Sequence, residues 1–183
     1  MPIQIIILII GVIISFYIWS MYNSLVTGGV RIKEALSGID VQLKRRVDLI
    51  PNLIETVKGY AKHEKELLEN LTKARTSLMK ADTVQEKAAS NDTVSNALKT
   101  IFAVSENYPN LKANENFLHL QDELSDTENK IAYARQFCNS NVRDYNTALV
   151  SFPTNFLSQF FGFKEREFFA TNETEREPIK IKF

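Results

Sequence analysis

Hydrophobic positions change their spacing near residue 30. From Ile3 to Tyr22 the chain runs twenty residues without a charged side chain, and the first charge anywhere is Arg31. A helix of twenty residues rises about 30 Å, the thickness of a bilayer's hydrocarbon core, where only helices and closed barrels satisfy their backbone. The stretch ends in Tyr17, Trp19, Met21 and Tyr22, aromatics of the kind that sit at headgroups. It predicts a membrane anchor, with the lipid bilayer contacted through residues 3–22 and a short linker completing residues 1–29. A cleaved signal peptide would carry a charged start, a shorter apolar core and small residues at the cut. A buried helix of a soluble core would show a polar face, which this run lacks.

After Val30 the apolar residues fall three and four apart, the spacing of an amphipathic helix. Ile32, Leu36, Ile39, Leu43 and Val47 predict a first helix, with Lys33, Glu34, Ser37, Lys44 and Arg45 opposite. Asp48 as N-cap and Pro51 in a first turn predict a reversal near Arg46 to Asp48; one long helix kinked at Pro51 is the alternative. A second helix follows on Ile50, Ile54, Val57, Ala61, Glu64, Leu68, Leu71, Arg75 and Leu78, a 3.5-residue repeat without a slip. Thr83-Val-Gln-Glu86 has the form of a capping box opening a third helix, which Pro109 stops. The fourth runs from near Asn114 on Phe117, Leu120, Leu124, Thr127, Ile131, Ala134, Cys138, Asn141, Tyr145 and Ala148, until Phe152-Pro153 closes it. The expected fold class is therefore all-α: an N-terminal single transmembrane helix followed by an up-and-down antiparallel four-helix bundle with long helices at residues 30–152. Residues 153–170 form an aromatic-rich short helix or interfacial segment, and 171–183 a charged C-terminal tail.

Charge and chemistry narrow the function by exclusion. Lysine plus arginine equals aspartate plus glutamate at 22 each, so no net field favours nucleic acid, and no nucleic-acid partner is expected. Lys44-Arg45-Arg46 is the one basic cluster and reads as a solvated helix face. His63 lacks a second histidine four residues on, because Leu67 stands there, and His119 is the only other one. The six glycines are scattered, so no phosphate-cradling loop exists. Cys138 lies on the apolar seam and reads as a small buried hydrophobe. No catalytic, cofactor-binding or metal-binding residue is assigned, no cofactor is expected, and the chain is not expected to be an enzyme. Glu64, Arg75, Thr127 and Asn141 are polar seam positions; Glu64 is expected to pair with an arginine, Arg135 first, and so to fix helix register.

The residues in hand resemble the LemA family of bacterial membrane-anchored proteins. The resemblance rests on Val41 to Glu64 (VQLKRRVDLIPNLIETVKGYAKHE), Tyr108 to Phe117 (YPNLKANENF), Ala132 to Asn139 (AYARQFCN), Asp144 to Asn146 (DYN), and FP followed by Gly162-Phe163. Cys138 stands where the family usually has Tyr, and Leu36 where Trp or Phe is common. The resemblance implies a helical bundle on an N-terminal anchor with no established enzymatic activity. Some relatives look like lipoproteins with a modified Cys after the apolar stretch; Ser20-Met21 occupy that place, so a lipid anchor is not carried over.

The functional expectation is a noncatalytic, membrane-tethered scaffold that presents its bundle to an unknown protein partner or to copies of itself; an oligomeric membrane-contacting or membrane-remodelling assembly is the alternative, and an enzyme of unrecognised type ranks last. Homo-oligomers are expected, with Gly11 and Ser15 as a small-xxx-small pair in the anchor. The location is a bacterial membrane, crossed once. Arg31 and Lys33 after the anchor favour a cytoplasmic bundle, the lipoprotein-like relatives an outside one, and the balance leans slightly to extracytoplasmic. Counting helices outward and back places Phe152 beside the bilayer. Phe156, Phe160, Phe161 and Phe163 then either cap the core, the preferred expectation, or sit among headgroups.

Overall fold

The computed structural model describes residues 3–61 and 63–169; the expected tail at 171–183 lies outside them. Among the described residues the chain is all-helical, with α1 at Ile3–Tyr60, α2 at Lys65–Lys80, α3 at Val84–Ser105, α4 at Pro109–Lys112, α5 at Glu115–Val150 and α6 at Thr154–Phe160. One helix, α1, is long and apolar enough in its first part to cross a membrane. Between Ile3 and Tyr22 most of its large apolar side chains are exposed, Trp19 at 62%, while Ile18 and Met21 are half-buried.

Three boundaries depart from the expectation. The linker expected before Val30 is helix, because α1 runs unbroken through Gly28 and Gly29. No reversal occurs at Arg46 to Asp48 either: α1 continues through Pro51, which lacks the N–H that would bond the Val47 carbonyl. Arg75 fills that place, its Nε donating to the Val47 oxygen at 2.9 Å. The reversal comes instead at residues 61–64, inside the supposed second helix, where the Glu64 N–H turns back to the Ala61 carbonyl. The 3.5-residue repeat gave no sign of this turn because Ala61 is itself buried and Glu64 half-buried, so these two residues stay on the seam. Finally, α3 ends at Ser105, ahead of Pro109, and Pro109 opens the single turn of α4.

Two compact units result, one from residues up to Ser37 with Gln136–Phe168, the other from Gly38–Arg135 with the buried Phe169. In the second, the capping box is present: Thr83 Oγ1 accepts from the Glu86 N–H at 3.2 Å, and the Glu86 carboxylate accepts from the Thr83 N–H at 3.0 Å. It turns α2 onto α3, and the two helices pack along each other. Ile39, Ile50, Leu53, Leu71, Val94, Leu124 and Ile131 are fully buried there, each contributing roughly 1.5–3 kcal/mol of hydrophobic free energy. Polar contacts join the helices at the rim: Lys87 to Asp40 at 2.7 Å between α3 and α1, and Arg45 to Glu123 at 2.5 Å between α1 and α5.

In the first unit α1 and α5 approach closely. A Cβ on Gly28 would lie 3.0 Å from Tyr145 Cδ2, so glycine is what the approach tolerates. Cys138, Val142 and Leu149 are buried on α5, and Leu25 and Ile32 on α1. Beyond α5, Ser158 is buried with its hydroxyl donating to the Leu149 carbonyl at 3.0 Å, which ties α6 to the end of α5. Asn146 clamps the segment after α6 by donating to the Arg166 carbonyl and accepting from the Arg166 N–H, both at 2.9 Å. At its other end, in the second unit, α5 is capped by Asn114, whose Oδ1 accepts from the Phe117 N–H at 3.0 Å.

Candidate functional site

Two places concentrate features that a merely structural helix pair would not need. The first is a buried polar cluster on α1, α3 and α5. Arg46 is only 2% exposed, although it belongs to the basic triplet read as a solvated face. Its Nη1 donates to Asn91 Oδ1 at 2.6 Å and reaches Glu128 Oε2 at 2.6 Å, while Ser95 Oγ donates to the other Glu128 oxygen at 3.1 Å. Burial pushes the Arg46 pKa down, and the Glu128 and Asp92 carboxylates act against that shift, so the guanidinium stays charged. Arg46 Nε and Asn91 Nδ2 are buried without a hydrogen-bond partner. The spacing carried a signal for Arg46, since Ile39, Leu43, Arg46 and Ile50 fall four, three and four apart on one helix face.

Glu64 meets a different partner from the arginine expected. It accepts from the Tyr108 hydroxyl at 2.8 Å, a bond that pushes the tyrosine pKa up. Arg135 lies instead over the Phe169 ring, 5.9 Å from its centre. Distance along α5 explains the difference. Asn114 at its start bonds the Tyr60 hydroxyl at the end of α1, and Arg135 is 21 residues further on, about 30 Å of helix away from Glu64's turn.

The second place is the aromatic end. Phe161 and Phe163 meet the Tyr22 ring edge-on, with centres 5.0 and 5.6 Å apart, so the segment after α6 lies against α1 where its apolar run finishes. The chain returns to Tyr22 by another route than the helix count assumed: losing the reversal at Pro51 removes one change of direction, and the turn between Ala61 and Glu64 restores it. The core-cap expectation fails for most of these rings. Phe152 is 81% exposed, Phe156 65% and Phe160 82%, whereas Phe169, which the seam pattern did not single out, is buried. In the same unit a groove of about 360 Å³ on α1 and α5 is lined by polar residues including Asn23, Thr27, Arg31, Asn141 and Asp144.

Neither place carries a reactive constellation. His63 is exposed at the α1–α2 turn, and no group of three or more His, Cys, Asp or Glu among the described residues could hold a metal ion. Cys138 is buried, and desolvation pushes its thiol pKa up, away from the thiolate that attacks electrophiles.

The family profile described as "LemA family" matches residues 35–183, four fifths of the chain. This chain belongs to the LemA family. Among LemA-family relatives, it is 28% identical to Protein LemA of Metamycoplasma hominis over 93% of this chain and 78% of that protein. It is 26% identical to Magnetosome protein MamQ 1 of Paramagnetospirillum magneticum, and 24% to Magnetosome protein MamQ of Magnetospirillum gryphiswaldense, each over 86% of this chain and 68% of the relative. Several LemA-family blocks coincide with the contacts described above. Tyr145 and Asn146 of DYN pack on Gly28 and clamp Arg166, and the KRR of the first block holds the buried Arg46.

Proposed function

We propose that this LemA-family chain is a noncatalytic, single-pass membrane scaffold. Residues 3–22 span the bilayer, and the later part of α1 with α2, α3 and α5 forms an up-and-down four-helix bundle that presents its surface to a protein partner or to further copies. The observation that carries this reading is the continuity of α1: one helix, unbroken across Gly28 and Gly29, begins with exposed apolar side chains and continues into the buried residues Ile39 to Val57. The buried Arg46 cluster supports a structural role, since it fixes which helix faces meet and leaves no group placed to react.

Two measurements on the full chain test the reading. Alkaline extraction of membranes should leave the protein in the pellet, and release into the wash would remove the anchor. Mass determination in detergent should give a discrete multiple of the chain, and a strictly monomeric particle would remove self-assembly as the purpose of the surface. We place the bundle on the extracytoplasmic side, so protease added to intact cells should digest it; a spared bundle reverses that placement.

A further inference from the structure

The exposed phenylalanines of α6 form a surface that water alone does not suit. Phe156 and Phe160 stand four apart on α6, which puts them on one side of the helix, and Phe152 is exposed in the turn just before it. Phe152 and Phe156 touch edge-on at 6.2 Å, and Phe160 and Phe161 at 5.1 Å. The opposite side of α6 is the one that packs, with Ser158 buried and bonded to Leu149. The outward orientation is therefore held in place by the fold. Contiguous exposed aromatic surface of this kind marks an interaction site.

What covers it follows from where it lies. Phe161 continues the row of rings to Tyr22, and Tyr22 closes the apolar run that includes Trp19 and Phe16, themselves 5.6 Å apart. Trp and Tyr at the end of an apolar span sit at headgroup depth, and a short amphipathic segment at that depth buries its apolar side among headgroups and upper acyl chains. Asn146 holds the chain directly after these rings, where Lys164, Glu165, Arg166 and Glu167 are all exposed, as suits a segment leaving lipid for water.

We infer that α6 is a second membrane contact: Phe152, Phe156, Phe160 and Phe161 insert into the interfacial zone of the same leaflet that holds Tyr22. The occupant is lipid, and the inference rests on the reading that residues 3–22 span the bilayer. Insertion at two points restrains the tilt of α1, which a lone transmembrane helix leaves free.

The chain's single tryptophan makes a direct test possible. Full-length protein is reconstituted into vesicles of phosphatidylcholine and phosphatidylglycerol, with bromine on the upper acyl chain of the phosphatidylcholine as a quencher. Wild-type Trp19 reports the anchor. A second protein, Trp19→Phe with Phe160→Trp, reports α6. The expected result is blue-shifted emission from both indoles, each roughly halved in intensity by brominated lipid. Quenching of Trp19 without quenching at position 160 overturns the inference and leaves the anchor standing. Failure to quench Trp19 removes the anchor reading and the inference with it. Emission at position 160 that is shielded from aqueous acrylamide yet blind to brominated lipid means that protein covers the surface, which also overturns it. Should Phe160→Trp fail to fold, Phe156→Trp, also at an exposed position of α6, gives the same readout.

Discussion

Arg75 Nε donates to the backbone carbonyl of Val47 at 2.9 Å, the oxygen to which Pro51, four residues on, has no N–H to offer. A side chain from α2 thus completes the ladder of α1, and a proline that would end an isolated helix is carried inside a 58-residue one, nine residues before its end.

The pair makes a double-mutant cycle informative. Arg75→Met should destabilise the wild type by about 1–2 kcal/mol, since it orphans the carbonyl. In a Pro51→Ala background an N–H is available again, and the same change should cost less by about 1 kcal/mol. Denaturant titration in detergent reads both values, and strictly additive effects would mean that the bond does not compensate the proline.

Arg46 gives a prediction about what kind of damage hurts. Glu128→Ala leaves a charge that is 2% exposed without its carboxylate and should cost about 1–3 kcal/mol, at the lower end if water reaches the half-exposed Glu128 site. Adding Arg46→Met removes the orphaned charge and should recover part of that loss. A double variant less stable than Glu128→Ala alone would show that the guanidinium's packing outweighs its charge.

Neighbouring glycines should respond with opposite sign. A methyl added at Gly29 would meet nothing within 4 Å, so Gly29→Ala should stabilise the helix by about 0.5–1 kcal/mol. Gly28→Leu must displace Tyr145 and should cost about 1–3 kcal/mol. Thermal melting of the two variants side by side checks the sign, and equal shifts would rule out the close α1–α5 approach.

The capping box predicts a pH dependence. Backbone N–H bonds from Thr83 and Asp82 hold the Glu86 carboxyl below its usual value of 4.5. A folded pKa below the unfolded one means that the stabilisation is complete above about pH 5 and is lost as pH falls through the folded value. Glu86→Gln should therefore melt lower than wild type at pH 7, and the gap should close in acid. A gap that stays constant down to about pH 3 would contradict the charged cap.

How much was legible in the sequence depended on the range of the interaction responsible. Local patterns determined the apolar span from Ile3, the capping box at Thr83 and Glu86, the start of α5 at Asn114 and the seam from Phe117 to Tyr145, because each is set by residues within a few positions of one another. Family membership was legible too, in blocks such as Val41 to Glu64. Only the tertiary structure decided the course of the chain at Pro51, since the compensating donor, Arg75, is 24 positions away. It alone exposed the turn at residues 61–64, which keeps Ala61 and Glu64 in phase with the helices on either side. It also gave Glu64 to Tyr108, buried Arg46 against Asn91 and Glu128, and turned Phe156 and Phe160 outward while Ser158 faces in. A hydrophobic period reports which residues face a neighbour; which neighbour, and whether a ring faces protein or not, is set by partners that only folding brings within reach.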